Sequence, residues 1–162
     1  MLGRMYEREN CSAARALEVV GERWSLLILR NALFAGATRF SQFARLGLAP
    51  NVLTKRLNVL VDGGLFEASG AGSTRSYQLT DKGRDLAGAI VALTEWGDRW
   101  AAPDGPPVEY RHQVCGGGPV ELVTRCAKCG DAMHPADLVA HPGPGATEPQ
   151  RAVMSARLNP PG

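Results

Sequence analysis

The stretch from Thr38 to Leu86, TRFSQFARLGLAPNVLTKRLNVLVDGGLFEASGAGSTRSYQLTDKGRDL, constrains the fold most, because it reads as helix, turn, helix and then a small hairpin. Ser41 to Leu46 gives one and a half helical turns with Phe40, Phe43 and Leu46 at helical spacing, and Gly47 ends it. Ala49-Pro50 opens a second helix running to Asp62. Pro50 sits in its first turn, where the missing N–H costs nothing, and Leu53, Leu57, Leu60 and Val61 repeat on one face. Gly63-Gly64 stops it.

The opposite face of that helix carries Asn51, Thr54, Lys55, Arg56 and Asn58, donors and acceptors suited to base edges or phosphates in a major groove. Leu65 to Ala68 and Ser76 to Leu79 are short β-prone runs around a Gly/Ser/Thr tip that ends in Arg75. After a helix-turn-helix, such a hairpin reads as a wing, with Arg75 suited to a phosphate backbone or a minor groove. An ordinary surface hairpin is the other reading.

The 162 residues, 44% of them hydrophobic, suffice for one good core with appendages. A net charge of +2 says little about nucleic acid, so its distribution matters more. From Arg39 to Arg84, seven Lys or Arg stand against three acids, so the basic excess sits on the candidate reading unit. No apolar run approaches a membrane span and the first residues, MLGRMYERENCS, have no signal-peptide pattern, so a cytoplasmic protein is expected. In that reducing compartment four cysteines read as thiols, redox sensors or metal ligands rather than as a disulfide framework.

Upstream, Cys11 to Val20 reads as a helix closed by Gly21. A second helix starts near Trp24, with Trp24, Leu27, Ile28 and Leu33 facing the core and Arg23 and Arg30 left to solvent or phosphate. Downstream, Thr80 caps one long helix from Asp81, whose stripe is Leu86, Ile90, Leu93, Gly97 and Trp100. Trp96 or Trp100, with Leu93, is expected to pack on a partner subunit or on the first helices. A two-fold dimer would set two recognition helices roughly 34 Å apart and demand a pseudo-palindromic operator.

Taken together, Cys11-Ser12, the Ala-Arg-Ala-Leu run, Arg23-Trp24, Leu29-Arg30-Asn31, Gly36, Thr38-Arg39-Phe40, Phe43, Leu53, Arg56-Leu57, Leu60, Gly63-Gly64-Leu65 and Tyr77 to Gly83 resemble the HxlR-type branch of the MarR-like winged-helix regulators over about residues 8 to 100. The resemblance implies a homodimeric, operator-binding transcription factor whose N-terminal and C-terminal helices pair across the two-fold axis. It also implies an N-terminal thiol, here Cys11, that senses electrophiles or oxidants. A helix start and the nearby Arg8 and Arg15 would favour its thiolate, while a small buried hydrophobe at the dimer interface is the alternative.

Beyond Trp100 a linker containing Pro103, Gly105, Pro106 and Pro107 leads to a Cys/His extension. β-prone runs from Val108 and from Leu122 precede His112-x2-Cys115 and Cys126-x2-Cys129-Gly130, the ligand set of a small zinc ribbon. Reduced thiols on a hairpin, or an inducible Cys126–Cys129 disulfide, remain alternatives. After His141 the chain is rich in Pro and Gly, with a short helix expected over Val153 to Leu158 in an end that is mobile or docks on a partner.

The expected fold is α+β, mainly α. A winged helix-turn-helix domain with its dimerisation helix covers 1–102, a small β-rich Cys/His extension 103–142 and a flexible tail 143–162. The expected function is operator binding by a homodimer through helix 49–62 and the wing around Arg75, under a thiol-reactive or small-molecule signal. Asn51, Thr54, Lys55 and Arg56 are assigned to the groove, Pro50 is counted with them as DNA-binding, and Arg39, Ser41 and Gln42 are assigned to phosphates; for Arg56 the resemblance also implies an alternative, an intramolecular pair. Bound zinc is a candidate cofactor. No nucleophile–base–acid set or phosphate-cradling loop points to an enzyme. The second reading is a protein-interaction module built on the winged helix and the zinc ribbon.

Overall fold

The computed structural model describes residues 6, 9–112, 114–118 and 120–158. Helix α1, Ser12–Val20, begins after Cys11 and ends at Gly21. Helix α2, Arg23–Phe34, is capped by Glu22, whose carboxylate accepts the Trp24 N–H at 3.1 Å. Such a side-chain acceptor satisfies one of the unpaired donors of a first turn. Ile28 and Leu29 on α2 are fully buried, whereas Leu27 is only half-buried, so the core face is rotated by about one residue from the sequence expectation.

Helix α3, Phe40–Ala44, and helix α4, Pro50–Asp62, form the helix-turn-helix. Gln42 starts α3 by accepting the N–H groups of Thr38 and Arg39, both at 2.8 Å. The turn between the helices needs Gly47, whose φ of 83° lies in the left-handed region that side chains disfavour. On α4, Leu53, Leu57 and Leu60 are fully buried, each removing apolar surface that contributes about 1.5–3 kcal/mol.

Strands β1, Phe66–Ser69, and β2, Ser76–Leu79, pair antiparallel with Phe66 opposite Leu79 and Ser69 opposite Ser76. The tip between them is a 3₁₀ turn at Gly72–Thr74, held by the Thr74 hydroxyl donating to the Ala71 carbonyl at 2.8 Å. Ahead of α3, the Thr38 carbonyl accepts the Tyr77 N–H at 2.8 Å and Arg39 bridges Ser76, so the approach to the helix-turn-helix is stitched to the wing. Behind this sheet Phe43, Phe66 and Tyr77 meet edge to face, with ring centroids 6.1, 6.2 and 6.4 Å apart.

The single long helix expected from Asp81 is instead two. Helix α5, Asp81–Arg84, breaks at Asp85-Leu86 before helix α6, Ala87–Ala101. The cause is anchoring from the other side. The Thr80 hydroxyl donates to the Gly64 carbonyl at 2.7 Å, Lys82 Nζ to the Gly63 carbonyl at 2.7 Å and Arg84 to the Leu79 carbonyl at 2.6 Å. These bonds hold α5 against the end of α4 and the exit of β2, while α6 turns to bury Ile90 and Val91.

In the extension, strands β3, Thr124–Arg125, and β4, Ala132–Met133, make one short hairpin. Among the described residues of the extension, no strand precedes Cys115. The expected run from Val108, of which Gln113 lies outside the described residues, forms a loop closed by bonds from His112 to Gly118 and from Val120 to Tyr110. The extension is therefore poorer in strand than expected. Helix α7, Glu148–Leu158, is longer than the short helix expected, and it docks on this same chain. Gln150 donates to the Asn10 carbonyl at 2.8 Å and accepts from the Asn10 side chain at 2.8 Å.

Close packing at α5 gives a sharp stability test. A Cβ on Gly83 would lie 2.3 Å from the Leu65 carbonyl oxygen, whereas one on Gly88 meets nothing within 4 Å. Gly83→Ala is expected to destabilise by about 2–3 kcal/mol despite its better helix propensity. Gly88→Ala should stabilise by about 0.5 kcal/mol. Urea unfolding of both variants at one protein concentration checks the pair, and equal midpoints would contradict the packing.

Candidate nucleic-acid interface

The sequence of α4 dictates an exposed polar face because its leucines fix the opposite face in the core. Asn51, Thr54, Lys55 and Asn58 are exposed together with Pro50. Two of the side chains are already oriented by the helix. The Asn51 side-chain oxygen accepts the Val52 N–H at 2.9 Å, leaving its NH₂ to other partners, and the Thr54 hydroxyl donates to the Pro50 backbone carbonyl at 2.9 Å. Lys55 makes no ion pair among the described residues.

Arg56 does not join this face. Its side chain is only 12% exposed, and its Nε lies 3.5 Å from the Glu22 carboxylate at the start of α2. That Nε is buried without a hydrogen-bond partner, so the contact is an ion pair of loose geometry rather than a charge-assisted hydrogen bond. The guanidinium expected in the groove ties α4 to α2 instead. Glu22, absent from the sequence-based site, thereby caps one helix and pairs with another.

On the flanks, Ser41 is exposed at the start of α3, and Gln42 spends its oxygen on the α3 cap. Arg39 remains exposed, but its guanidinium donates to the Thr74 carbonyl and so braces the wing tip. Arg75 lies over the Tyr77 ring, its guanidinium carbon 5.5 Å from the centroid, a cation–π geometry that holds it close to the base of the tip. Arg39, Ser41, the α4 face and Arg75 belong to the contiguous helix-turn-helix and wing.

The other sequence-assigned residues lie elsewhere. Cys11 is exposed immediately before α1, and no side-chain bond of its own caps the helix. Arg15 donates to the Asn10 side chain at 2.6 Å, while Arg8 lies outside the described residues. His112 Nδ1 is 3.2 Å from Cys115 Sγ, and Cys126 and Cys129 share one turn between β3 and β4. The four expected zinc ligands thus fall into two local pairs. Among the described residues no group of three or more His, Cys, Asp or Glu comes together that could hold a metal ion. The physical reason is that the Cys115 loop folds back on Tyr110 while the Cys126 turn caps its own hairpin. Backbone N–H groups of Gly118 and Gly117 draw the Cys115 thiol below its ordinary pKa, and those of Cys129 and Lys128 do so for Cys126.

The placement of Arg56 separates it from its neighbour Lys55 experimentally. Arg56→Ala leaves a partly buried Glu22 without its cation and should cost about 1–3 kcal/mol of stability. Lys55→Ala, on the exposed face, should stay within about 0.5 kcal/mol of the parent. Urea denaturation of the two variants decides it, and the ranking reversed would remove the Arg56–Glu22 tie.

Comparison with known proteins places this geometry. Residues 19–105 match the HxlR-like helix-turn-helix family. The chain is 45% identical over 142 residues to an uncharacterized HTH-type transcriptional regulator, Rv3095 of Mycobacterium tuberculosis, covering 85% of this chain and 89% of that one. It is 31% identical to another, YvaP of Bacillus subtilis, over 61% of this chain and 96% of the relative. The crystal structure of PA1607, described as a transcription factor, superposes with a TM-score of 0.72 at 40% identity over 81% of this chain and 94% of that one. PA1374 from Pseudomonas aeruginosa, described in the same way, gives 0.63 at 38% identity over 88% and 99%. The exposed helix on a leucine-packed scaffold with a short wing is that of a transcriptional regulator of the helix-turn-helix type, and the chain belongs to the HxlR-like helix-turn-helix family.

Proposed function

We propose that this regulator binds a pseudo-palindromic operator as a homodimer, inserting α4 into the major groove and resting the wing on the flanking backbone. The observation that carries the reading is the division of α4. Leu53, Leu57 and Leu60 are fully buried while Asn51, Thr54, Lys55 and Asn58 face solvent on the other side. In the groove, Asn51 offers its free NH₂ to a base acceptor, Lys55 a mobile charge to phosphate, and Ser41 and Arg39 donors to the backbone beside α3. Arg75 serves the wing from its stacked position on Tyr77. Arg56 acts one step back, by setting the angle of α4 against α2.

Dimerisation is supported by α6. Leu93, Trp96 and Trp100 are exposed, the two tryptophans by 62% and 70%, and Leu17 of α1 is exposed as well. Exposed tryptophans on a helical stripe mark an interface. The units 1–102, 103–142 and 143–162 then divide the work into DNA reading with dimerisation, a Cys/His extension, and a tail helix docked at Asn10. Cys11 is the thiol we assign to electrophile or oxidant sensing, supported by its exposure at the start of α1, next to the Asn10 contact with α7. The alternative of a pure protein-interaction module has no comparable support, since the relatives are described as transcriptional regulators.

Selection of a binding site from random duplexes, followed by titration at several salt concentrations, tests the reading. Lys55→Ala is expected to weaken binding on every sequence and to lower the salt slope by about 1. Asn51→Ala should relax preference at one base position, at a cost of about 1–3 kcal/mol for the preferred base. Unchanged affinity and specificity in both variants would remove α4 from the groove. For assembly, Trp96→Asp with Trp100→Asp is expected to convert a dimer into a folded monomer in sedimentation equilibrium and to weaken operator binding by about tenfold or more.

A further inference from the structure

The turn between β3 and β4 is built around two sulfurs. Cys126 and Cys129 both lie in it, Cys129 exposed and Cys126 half-buried. The backbone closes this turn on itself. The Cys126 N–H donates to the Asp131 carbonyl at 3.0 Å, and the Gly130 N–H donates to the Cys126 carbonyl at 2.8 Å. Gly130 follows Cys129 at a φ of 79°, a left-handed conformation that side chains disfavour. Arg125 fastens the turn from its flank by donating to the Gly130 carbonyl at 3.2 Å. The backbone N–H groups of Cys129 and Lys128 and the Cys129 thiol all hydrogen-bond to the Cys126 sulfur. Two thiols are thus held side by side, with donors directed at one of them in the manner that orients and stabilises a metal-bound thiolate.

The number and softness of the donors decide which ion fits. Among the described residues no third His, Cys, Asp or Glu joins the pair. Structural Zn²⁺ takes four ligands in a tetrahedron, and Mg²⁺ and Ca²⁺ require a shell of oxygens. Thiolates are soft donors that select Cu⁺, a closed-shell ion satisfied by two ligands in line. Two thiolates on Cu⁺ leave one net negative charge. Lys128 within the turn and Arg125 beside it supply the balancing charge, and neither is in an ion pair among the described residues. The His112–Cys115 pair is the weaker candidate, because the Cys115 thiol already donates to the His112 carbonyl at 3.7 Å and an imidazole nitrogen is the harder donor.

We propose that Cys126 and Cys129 form a two-coordinate site for monovalent copper. Each thiol gives up its proton to solvent as its sulfur–copper bond forms, and no electron is transferred. The site uses no residue of α4 or of the wing, so it stands independently of how DNA is read. Thr124, two residues before Cys126, lines with Leu122, Val123 and Trp96 a cavity of about 440 Å³ beside α6, so copper loads the hairpin that abuts that helix.

Anaerobic titration of the reduced full chain into the coloured Cu⁺–bicinchoninate complex tests the site. The parent is expected to withdraw one Cu⁺ per chain, with X-ray absorption showing two sulfur neighbours and no nitrogen. Cys126→Ser and Cys129→Ser should each withdraw none, whereas Cys115→Ser and Cys11→Ser should match the parent; circular dichroism checks that all four are folded. Zn²⁺ offered against a colorimetric zinc chelator should stay with the chelator. Failure of the parent to withdraw copper, or retention of copper by Cys129→Ser, overturns the proposal. Loss of copper in Cys115→Ser also overturns it, by bringing a third donor into the site. So does uptake of one Cu⁺ per two chains, or transfer of one Zn²⁺ per chain, since either result requires more ligands than this turn supplies.

Discussion

The edge-to-face contact of Phe43, Phe66 and Tyr77 is the interaction on which the rest depends. Each ring comes from a different element, α3, β1 and β2, so a single packing event fixes the helix-turn-helix to the wing. Aromatic rings prefer this tilted geometry because the positive edge of one meets the negative face of another, which specifies orientation as well as contact. A two-stranded hairpin is not independently stable, and four-residue strands bury too little to correct that. Tyr77 answers on both sides: its ring closes the cluster, its N–H holds Thr38, and its outer face carries Arg75. The wing is thus posed by the core rather than by its own turn.

What could be read from the chain follows from the range over which each cause acts. Pro50 and the leucine spacing of α4 act within one helix, so α4 and its exposed face were legible to within a residue. Gly47 and Gly63-Gly64 punctuate locally, and the β1 and β2 runs are bounded by them and by the Gly/Ser tip. By contrast, Arg56 and Glu22 lie 34 positions apart, so although the resemblance offered an intramolecular pair for Arg56, nothing near either residue names the other as partner. From α4 alone, a cation beside Lys55 looks like one more groove contact. The break between α5 and α6 was illegible for the same reason, since Asp85 and Leu86 carry no helix-breaking signal. The interruption comes from carbonyls of Gly63, Gly64 and Leu79 that capture Lys82, Thr80 and Arg84.

The extension marks the other limit of sequence reading. Ligand spacing reports which side chains are near one another along the chain, and it found both local pairs, His112 with Cys115 and Cys126 with Cys129. Whether two such pairs converge depends on the path between them, and this path turns back at Tyr110. What brings the extension to the body is chemistry with no spacing signature. Tyr110 stacks on Phe34, and the Leu122 N–H donates to the Glu95 carboxylate at 3.2 Å.

Those two contacts give the extension mechanical meaning. Phe34 ends α2, the helix that carries Glu22 at its other end and through it holds Arg56 of α4. Glu95 belongs to α6, between the two exposed tryptophans' turns and the core residues Ile90 and Val91. The extension therefore touches α2, which braces α4 through Glu22, and α6, the helix proposed to form the dimer. Because packed elements shift as units rather than deform continuously, a change at Tyr110 or Glu95 would act on α2 or α6 as a whole. In the proposed dimer, whose half-sites would lie roughly 34 Å apart, such a shift would cost register, so the extension would bear on DNA reading from outside the helix-turn-helix.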